Sequence, residues 1–175
     1  MDKNEITSMI EEAFKGVEYP GDWCLKGSDE GDEPYLLEED FKGKNDWAKL
    51  DAKFLAQAPK GYGSALAFFS DEAFHFYIPA YMICDLKGEL EGMQVYRCFT
   101  SGFDESSKKK YINPRRYGNR TWHDWALYKH SVFNEKEAKA VIAYLEIKKE
   151  EEWFDPNKKV IQDALKNYWY NRVKE

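Results

Sequence analysis

The sequence predicts an α+β fold in one domain, with several amphipathic helices packed on a small antiparallel sheet. Three observations lead there. Apolar residues recur at helical spacing near both ends of the chain. The central run from Ala65 to Leu86 concentrates Phe68, Phe69, Phe74, Phe76, Tyr77 and Tyr81 around a small polar break and one proline. The length, 175 residues, fits one hydrophobic core and leaves little for a second.

The elements follow in order. Residues 2–15 carry Ile6, Met9, Ile10, Ala13 and Phe14 on one helical face, with Gly16 as a stop. A loop broken by Pro20 and Gly21 leads to the most acidic stretch, residues 28–40, which holds seven carboxylates and no Lys or Arg. Residues 46–57 predict an amphipathic helix with Trp47, Leu50, Phe54, Leu55 and Ala58 on its apolar stripe, ended by Pro59 and Gly61. In the central run, Pro79 argues against a single helix, because a mid-helix proline forfeits a hydrogen bond and clashes with the preceding turn, at roughly 3 kcal/mol. Ala65–Phe69 and Phe74–Ile78 are therefore predicted as two antiparallel strands joined by a turn over Ser70–Ala73. Pro79 then opens a helix to about Leu86.

Residues 93–100 fit a strand or a short helix. From Ser101 to Arg120 the aliphatics thin out, which predicts a long loop or excursion. Asn134 and Glu137 have the spacing of a reciprocal capping box, ahead of Ala138, Val141, Ile142 and Leu145. Asp155-Pro156 marks the start of a closing helix with Val160, Ile161, Ala164, Leu165, Tyr168 and Trp169.

Composition narrows the function classes. The chain is 43% hydrophobic and 17% aromatic, which excludes disorder. Its net charge of −6 disfavours a general nucleic-acid binder, which needs basic surface to displace counterions from phosphate. No apolar run reaches the ~18 residues of a membrane span. The N-terminus lacks the basic and apolar regions of a secretory signal. Cys24, Cys84 and Cys98 are an odd number with no CxxC pair, which predicts reduced thiols and a cytoplasmic protein.

The order Phe68-Phe69, a polar turn Ser70-Asp71-Glu72-Ala73, an aromatic block Phe74-His75-Phe76-Tyr77-Ile78 and then Pro79-Ala80-Tyr81 resembles an uncharacterised bacterial family, catalogued as a domain of unknown function. The resemblance extends to the segment Trp47–Pro59 before it and to Phe133-Asn134-Glu135-Lys136-Glu137 through Leu145 after it, so it covers residues 45–86 and 130–147. It implies a shared fold and no function. A looser analogy, in size and acidity alone, is to the small acidic immunity proteins of bacteria.

Three constellations could carry chemistry. His75 is a hydrogen-bonded core histidine, or a general base if it lines a cleft with Tyr77 and Asp85. His123, beside Asp124, could be an oriented imidazole, although the Asp serves equally as a helix cap; His130 lies two helical turns further on and could share its face. No metal-ligand spacing, P-loop, GxSxG or dinucleotide motif is present, so neither metal nor cofactor is expected.

The second constellation is basic. Lys108, Lys109, Lys110, Arg115, Arg116 and Arg120 interleave with Tyr111, Tyr117 and Trp122. Phosphate attraction combined with ring stacking is how single strands are held, while the plain alternative is a solvated loop paired with the protein's own acids. The third is acidic: Asp29, Glu30, Asp32, Glu33, Glu38, Glu39 and Asp40, with Trp23 and Tyr35 as neighbouring rings. The run reads first as a plain solvated loop. Carboxylates around exposed aromatics also suit a recognition surface for a basic protein, and metal binding is the remaining alternative, although the spacing does not match a calcium-binding loop. The absence of catalytic motifs favours a non-enzymatic interaction protein, an immunity-like inhibitor among the options, with nucleic-acid or nucleotide binding, or a small enzyme using His75 and Tyr77, as alternatives.

Overall fold

The computed structural model describes residues 1–173. The chain forms two compact units, one of Lys3–Val95 and the other of Met1–Asp2 with the segment from Tyr96 onward. Both are built from helices. The predicted α+β class is overturned: among the described residues there is no sheet, only two isolated bridges, Lys26 with Phe69 and Tyr111 with Thr121.

In the first unit, helix α1 (Lys3–Phe14) buries Ile6, Ile10 and Phe14 as the spacing predicts. The acidic stretch is not a plain loop. Glu33–Phe41 is helix α2, opened by a first-turn proline and burying Pro34, Leu37 and Phe41 at i, i+3 and i+7. The single helix expected over 46–57 is split. Asp46 caps a 3-10 turn, Trp47–Lys49, by accepting from the Ala48 amide (3.2 Å). Asp51 caps helix α3 (Ala52–Gln57) by accepting from the Phe54 amide (2.8 Å). Two aspartates at five-residue spacing start two short helices where the apolar stripe alone reads as one.

The expected hairpin is also helical. Ala65–Phe68 forms the single turn α4, and Asp71–Leu86 is one continuous helix, α5, with Pro79 inside it. Ser70-Asp71-Glu72-Ala73 is a helix start: the Ser70 hydroxyl accepts from the Ala73 amide (3.0 Å), and Asp71 and Glu72 complement the dipole in the first turn. Pro79 costs the helix one hydrogen bond, roughly 3 kcal/mol. Against that, thirteen of the sixteen residues of α5 are buried, eight of them large and mostly apolar. At ~1.5–3 kcal/mol for each large apolar side chain, burial exceeds the proline penalty several-fold. The helix is the core of this unit: Phe41 meets Phe54, Phe69 and Tyr77 at ring separations of 4.8–5.0 Å, and α1, α3 and the Trp47 turn pack on α5.

In the second unit, Arg97–Thr100 is the short helix α6, which settles the open reading of 93–100. The expected excursion 101–120 is structured by a 3-10 turn (Glu105–Lys108) and a four-residue helix α7 (Pro114–Tyr117). Helix α8 (Trp122–His130) follows. Helix α9 (Glu135–Glu151) starts at the anticipated Asn134–Glu137 capping box, and α10 (Asp155–Asn167) at the Asp155-Pro156 signal. A last 3-10 turn, Trp169–Arg172, packs with α9 and α10, and α10 also packs on α6. The core here is aromatic: Phe99, Phe103, Phe133, Tyr144, Tyr168 and Trp169.

Candidate functional site

The acidic stretch of the first unit builds a groove of about 450 Å³ lined by Asp22, Trp23, Tyr35, Glu38, Glu39 and Lys42. Asp22 and Trp23 come from the turn Asp22–Cys24, and Tyr35, Glu38, Glu39 and Lys42 from α2 and the residue after it. Gly21 takes φ +93°, and a Cβ there would lie 2.7 Å from the Trp23 indole nitrogen, so glycine is needed for both the turn and the indole folded across it. Trp23 is 84% exposed, an uncompensated hydrophobic surface at the groove's edge. Asp22 ties this turn to the end of α2: it accepts from the Tyr19 hydroxyl and from the Gly43 amide (2.7 Å). These two donors, the Tyr19 hydroxyl first, hold the Asp22 carboxyl below its usual range, while burial and then Asp22 push Tyr19 up to about 12.

The other acids divide by task. Lys26 pairs with Asp29, lies 3.8 Å from Glu38, and sits 4.8 Å above the Tyr35 ring. Glu33 accepts from the Ser64 hydroxyl (2.8 Å), and Asp40 from the Lys60 amide (2.8 Å), whose ammonium is 3.3 Å from Glu39. Asp32 precedes α2 without a side-chain cap bond, and Glu30 is exposed beside it. Of the nine residues expected to bind a partner, four (Trp23, Tyr35, Glu38 and Glu39) meet in the groove; Glu33 and Asp40 hold the fold together. Asp22 and Lys42 line it without belonging to the acidic run, and the carboxylate of Asp22 next to the exposed Trp23 was the signal available for them.

The basic segment lies in the second unit and is closed like a hairpin. The Ile112 amide donates to the Arg120 carbonyl (2.9 Å), and the Trp122 amide to the Lys110 carbonyl (3.0 Å). Asn113 caps α7 at its tip by accepting from the Arg115 amide (3.2 Å). Lys108 pairs with Glu105 (2.7 Å), as a solvated loop would have it. Lys109, Lys110, Arg115 and Arg116 are exposed. Arg116 lies over Tyr117 (5.5 Å) and Arg120 over Tyr128 (5.2 Å), a ring that lies outside the basic run 108–122. Tyr111, Tyr117, Trp122 and Tyr128 are all exposed. The signal for Tyr128 is its spacing: Trp122, Trp125 and Tyr128 recur every third residue along α8.

His75, Tyr77 and Asp85 are spread along one helix and do not line a common cleft. The expected strand that would turn His75 away from Phe74 and Phe76 is a helix, and ten residues of α5 put Asp85 about 15 Å along the axis from His75. Tyr77 between them is fully buried and donates to the Lys44 carbonyl (2.7 Å); burial, then neighbouring Tyr19, raises its pKa. His75 packs edge-on against Phe14 (6.0 Å). His123 and His130 do share the inner face of α8, with Ala126 between them. His123 Nδ1 contacts the Gly102 carbonyl (3.0 Å), and Asp124 closes a capping box with Thr121. His130 is fully buried, with Nδ1 and Nε2 each 2.8 Å from a backbone carbonyl, Ala126 and Cys98.

The three cysteines are free thiols. Burial raises all three, Cys98 to about 11, away from nucleophilic reactivity. Among the described residues no group of three or more His, Cys, Asp or Glu could hold a metal ion, and no helix is long and apolar enough to cross a membrane.

Comparison with known proteins gives a family and nothing narrower. A family described as of unknown function, DUF6714, matches residues 2–173, well beyond the segments 45–86 and 130–147 that carry the resemblance. No curated protein and no solved structure matches the chain.

Proposed function

We propose that this chain, which belongs to that family of unknown function, is a protein-interaction module whose groove at Trp23 takes a basic segment of a protein partner. The observation that carries the reading is the groove itself, where an indole 84% exposed stands with Tyr35 beside Asp22, Glu38 and Glu39. A Lys or Arg entering it gains the exposed Trp23 ring and carboxylates together, the combination that makes aromatic hot spots tight and charge steering fast, while the Tyr35 ring already carries Lys26. Among the described residues the lining holds three carboxylates and one cation, Lys42. The neighbouring Lys26 and Lys60 are matched by Asp29 and Asp40, so the balance around the groove stays negative and favours a cationic ligand. An inhibitor that covers a basic partner, as immunity proteins do, is one form this role takes. The free thiols support placing it in the cytoplasm.

The test is a fluorescence-anisotropy titration of labelled Lys/Arg-rich peptides and of neutral peptides of equal length. Basic peptides bind the native chain more tightly, and more so at low salt. Trp23→Ala and the double variant Glu38→Lys, Glu39→Lys each lose at least tenfold. Equal affinity for both peptide classes, or no loss in the two variants, overturns the reading.

A further inference from the structure

The charge of the chain is divided along the boundary between its two units. Residues 3–95 hold 19 Asp and Glu against 9 Lys and Arg, whereas residues 96–175 together with Met1 and Asp2 hold 13 against 17. The overall charge of −6 is thus the sum of a strongly acidic half and a basic one, and it says nothing against phosphate recognition by the second. The excess is concentrated: residues 108–122 contain six cations and no acid.

We infer that the hairpin 108–122, with the outer face of α8 beside it, is a binding site for single-stranded nucleic acid. Three features of the surface carry this. The segment is held in shape by two cross-strand hydrogen bonds and a capped tip, so Arg115 and Arg116 are displayed on ordered backbone rather than on a floppy tail. Tyr111 (56% exposed), Tyr117, Trp122 and Tyr128 (64% exposed) present ring faces or edges around those cations. Arg116 over Tyr117 and Arg120 over Tyr128 pair a guanidinium with a ring twice within one surface, a unit that can contact phosphate and base together.

The rings select among anions. Stacking on four side chains needs unpaired bases, which a duplex keeps inside, so single strands are favoured over duplexes. The cations set the salt dependence: with four to five phosphate contacts, log K falls against log salt with a slope of about −3. An acidic peptide would meet the cations and leave the rings unused. An anionic membrane would use both, and is separated from nucleic acid by experiment.

The full chain is titrated by anisotropy into a labelled twelve-nucleotide mixed-sequence single strand, as RNA and as DNA, and into the duplex of the same sequence, at several salt concentrations. Poly-glutamate and phosphatidylserine vesicles serve as competitors. The single strand binds at least tenfold more tightly than the duplex, with the slope above. Arg115→Glu with Arg116→Glu lowers affinity at least tenfold and flattens the slope by about 1.4. Tyr117→Ala with Tyr128→Ala lowers affinity roughly tenfold and leaves the slope unchanged. Lys109→Ala with Lys110→Ala, which touches no ring pair, flattens the slope again. Binding that is absent, indifferent to strandedness, unaffected by these variants, or displaced more readily by vesicles or poly-glutamate than by unlabelled oligonucleotide overturns the assignment. Circular dichroism of each variant establishes that the helices are intact.

Discussion

Ser70 donates its hydroxyl to the carbonyl of Cys24, 2.6 Å away and 46 residues earlier, while the same oxygen accepts from the Ala73 amide. One side chain thereby starts α5 and fastens the groove-bearing turn Asp22–Cys24 to it. The neighbouring backbone strengthens the link: the Ser70 amide donates to the Leu25 carbonyl (2.9 Å), and the Gly27 amide to the Phe68 carbonyl (2.8 Å). The position of Trp23 depends on this attachment.

Ser70→Ala removes a helix cap and leaves the Cys24 carbonyl with one partner fewer. The expected cost is about 1–2 kcal/mol, read as a lower urea midpoint. Because the turn loosens with the cap, affinity for basic peptides falls in the same variant. Ser70→Thr, which keeps the hydroxyl, retains most of both. An unchanged midpoint in Ser70→Ala would show that the cap carries no weight in this fold.

The same residues show what a sequence can and cannot reveal. The Asn134–Glu137 box is legible because both partners lie within one turn of helix and the apolar face behind them is periodic. In α5 that periodicity is gone: Phe74, Phe76, Tyr77 and Ile78 are buried on all sides of the helix, and a continuous apolar run reads equally as a strand. Only Ser70 spoke for the helix, and Ser-Asp-Glu also spells a turn. Helix α2 was hidden by its own charge, although Pro34, Leu37 and Phe41 carry a helical spacing. The basic and acidic segments were legible as composition. That Asp22 and Lys42 join the acidic groove, and Tyr128 the basic surface, depends on how turns and helices bring distant positions together.

Two glycines with positive φ separate crowding from strain. Gly102 has φ +90°, and a Cβ there would stand 2.7 Å from the Ala126 Cβ and 2.8 Å from the Trp122 carbonyl oxygen, both on α8. Gly88, after α5, has φ +74° and open space around it. Gly88→Ala meets only the cost of the left-handed region, about 1 kcal/mol. Gly102→Ala adds a clash that α8 relieves only by moving, which also disturbs the His123 contact to the Gly102 carbonyl; a loss of about 2 kcal/mol or more is expected. Thermal unfolding of the two variants side by side checks this, and equal shifts in melting temperature would remove the packing part of the argument.

His130 makes stability depend on pH. Its ring lies among Phe99, Phe103, Phe133, Tyr168 and Trp169, at centroid separations of 5.4–6.3 Å. Two carbonyl oxygens at 2.8 Å favour the imidazolium, since a neutral ring can donate to only one of them. Burial without any carboxylate partner works the other way and prevails, and Lys129 and Arg172 add to it, leaving the pKa at about 4 against an ordinary 6.5. The folded state therefore holds a neutral ring where the unfolded chain takes up a proton. The stabilisation is complete above pH ~6.5, is lost progressively as pH falls toward about 4, and is level below that; over the whole window it amounts to about 3 kcal/mol. Urea midpoints measured between pH 7 and 4 should fall accordingly, with a shallower decline in His130→Gln than in the native chain. Imidazole nitrogen shifts read by NMR at pH 5.5 give the direct answer: a neutral His130 ring is expected, and a protonated one would mean that the two carbonyls outweigh burial.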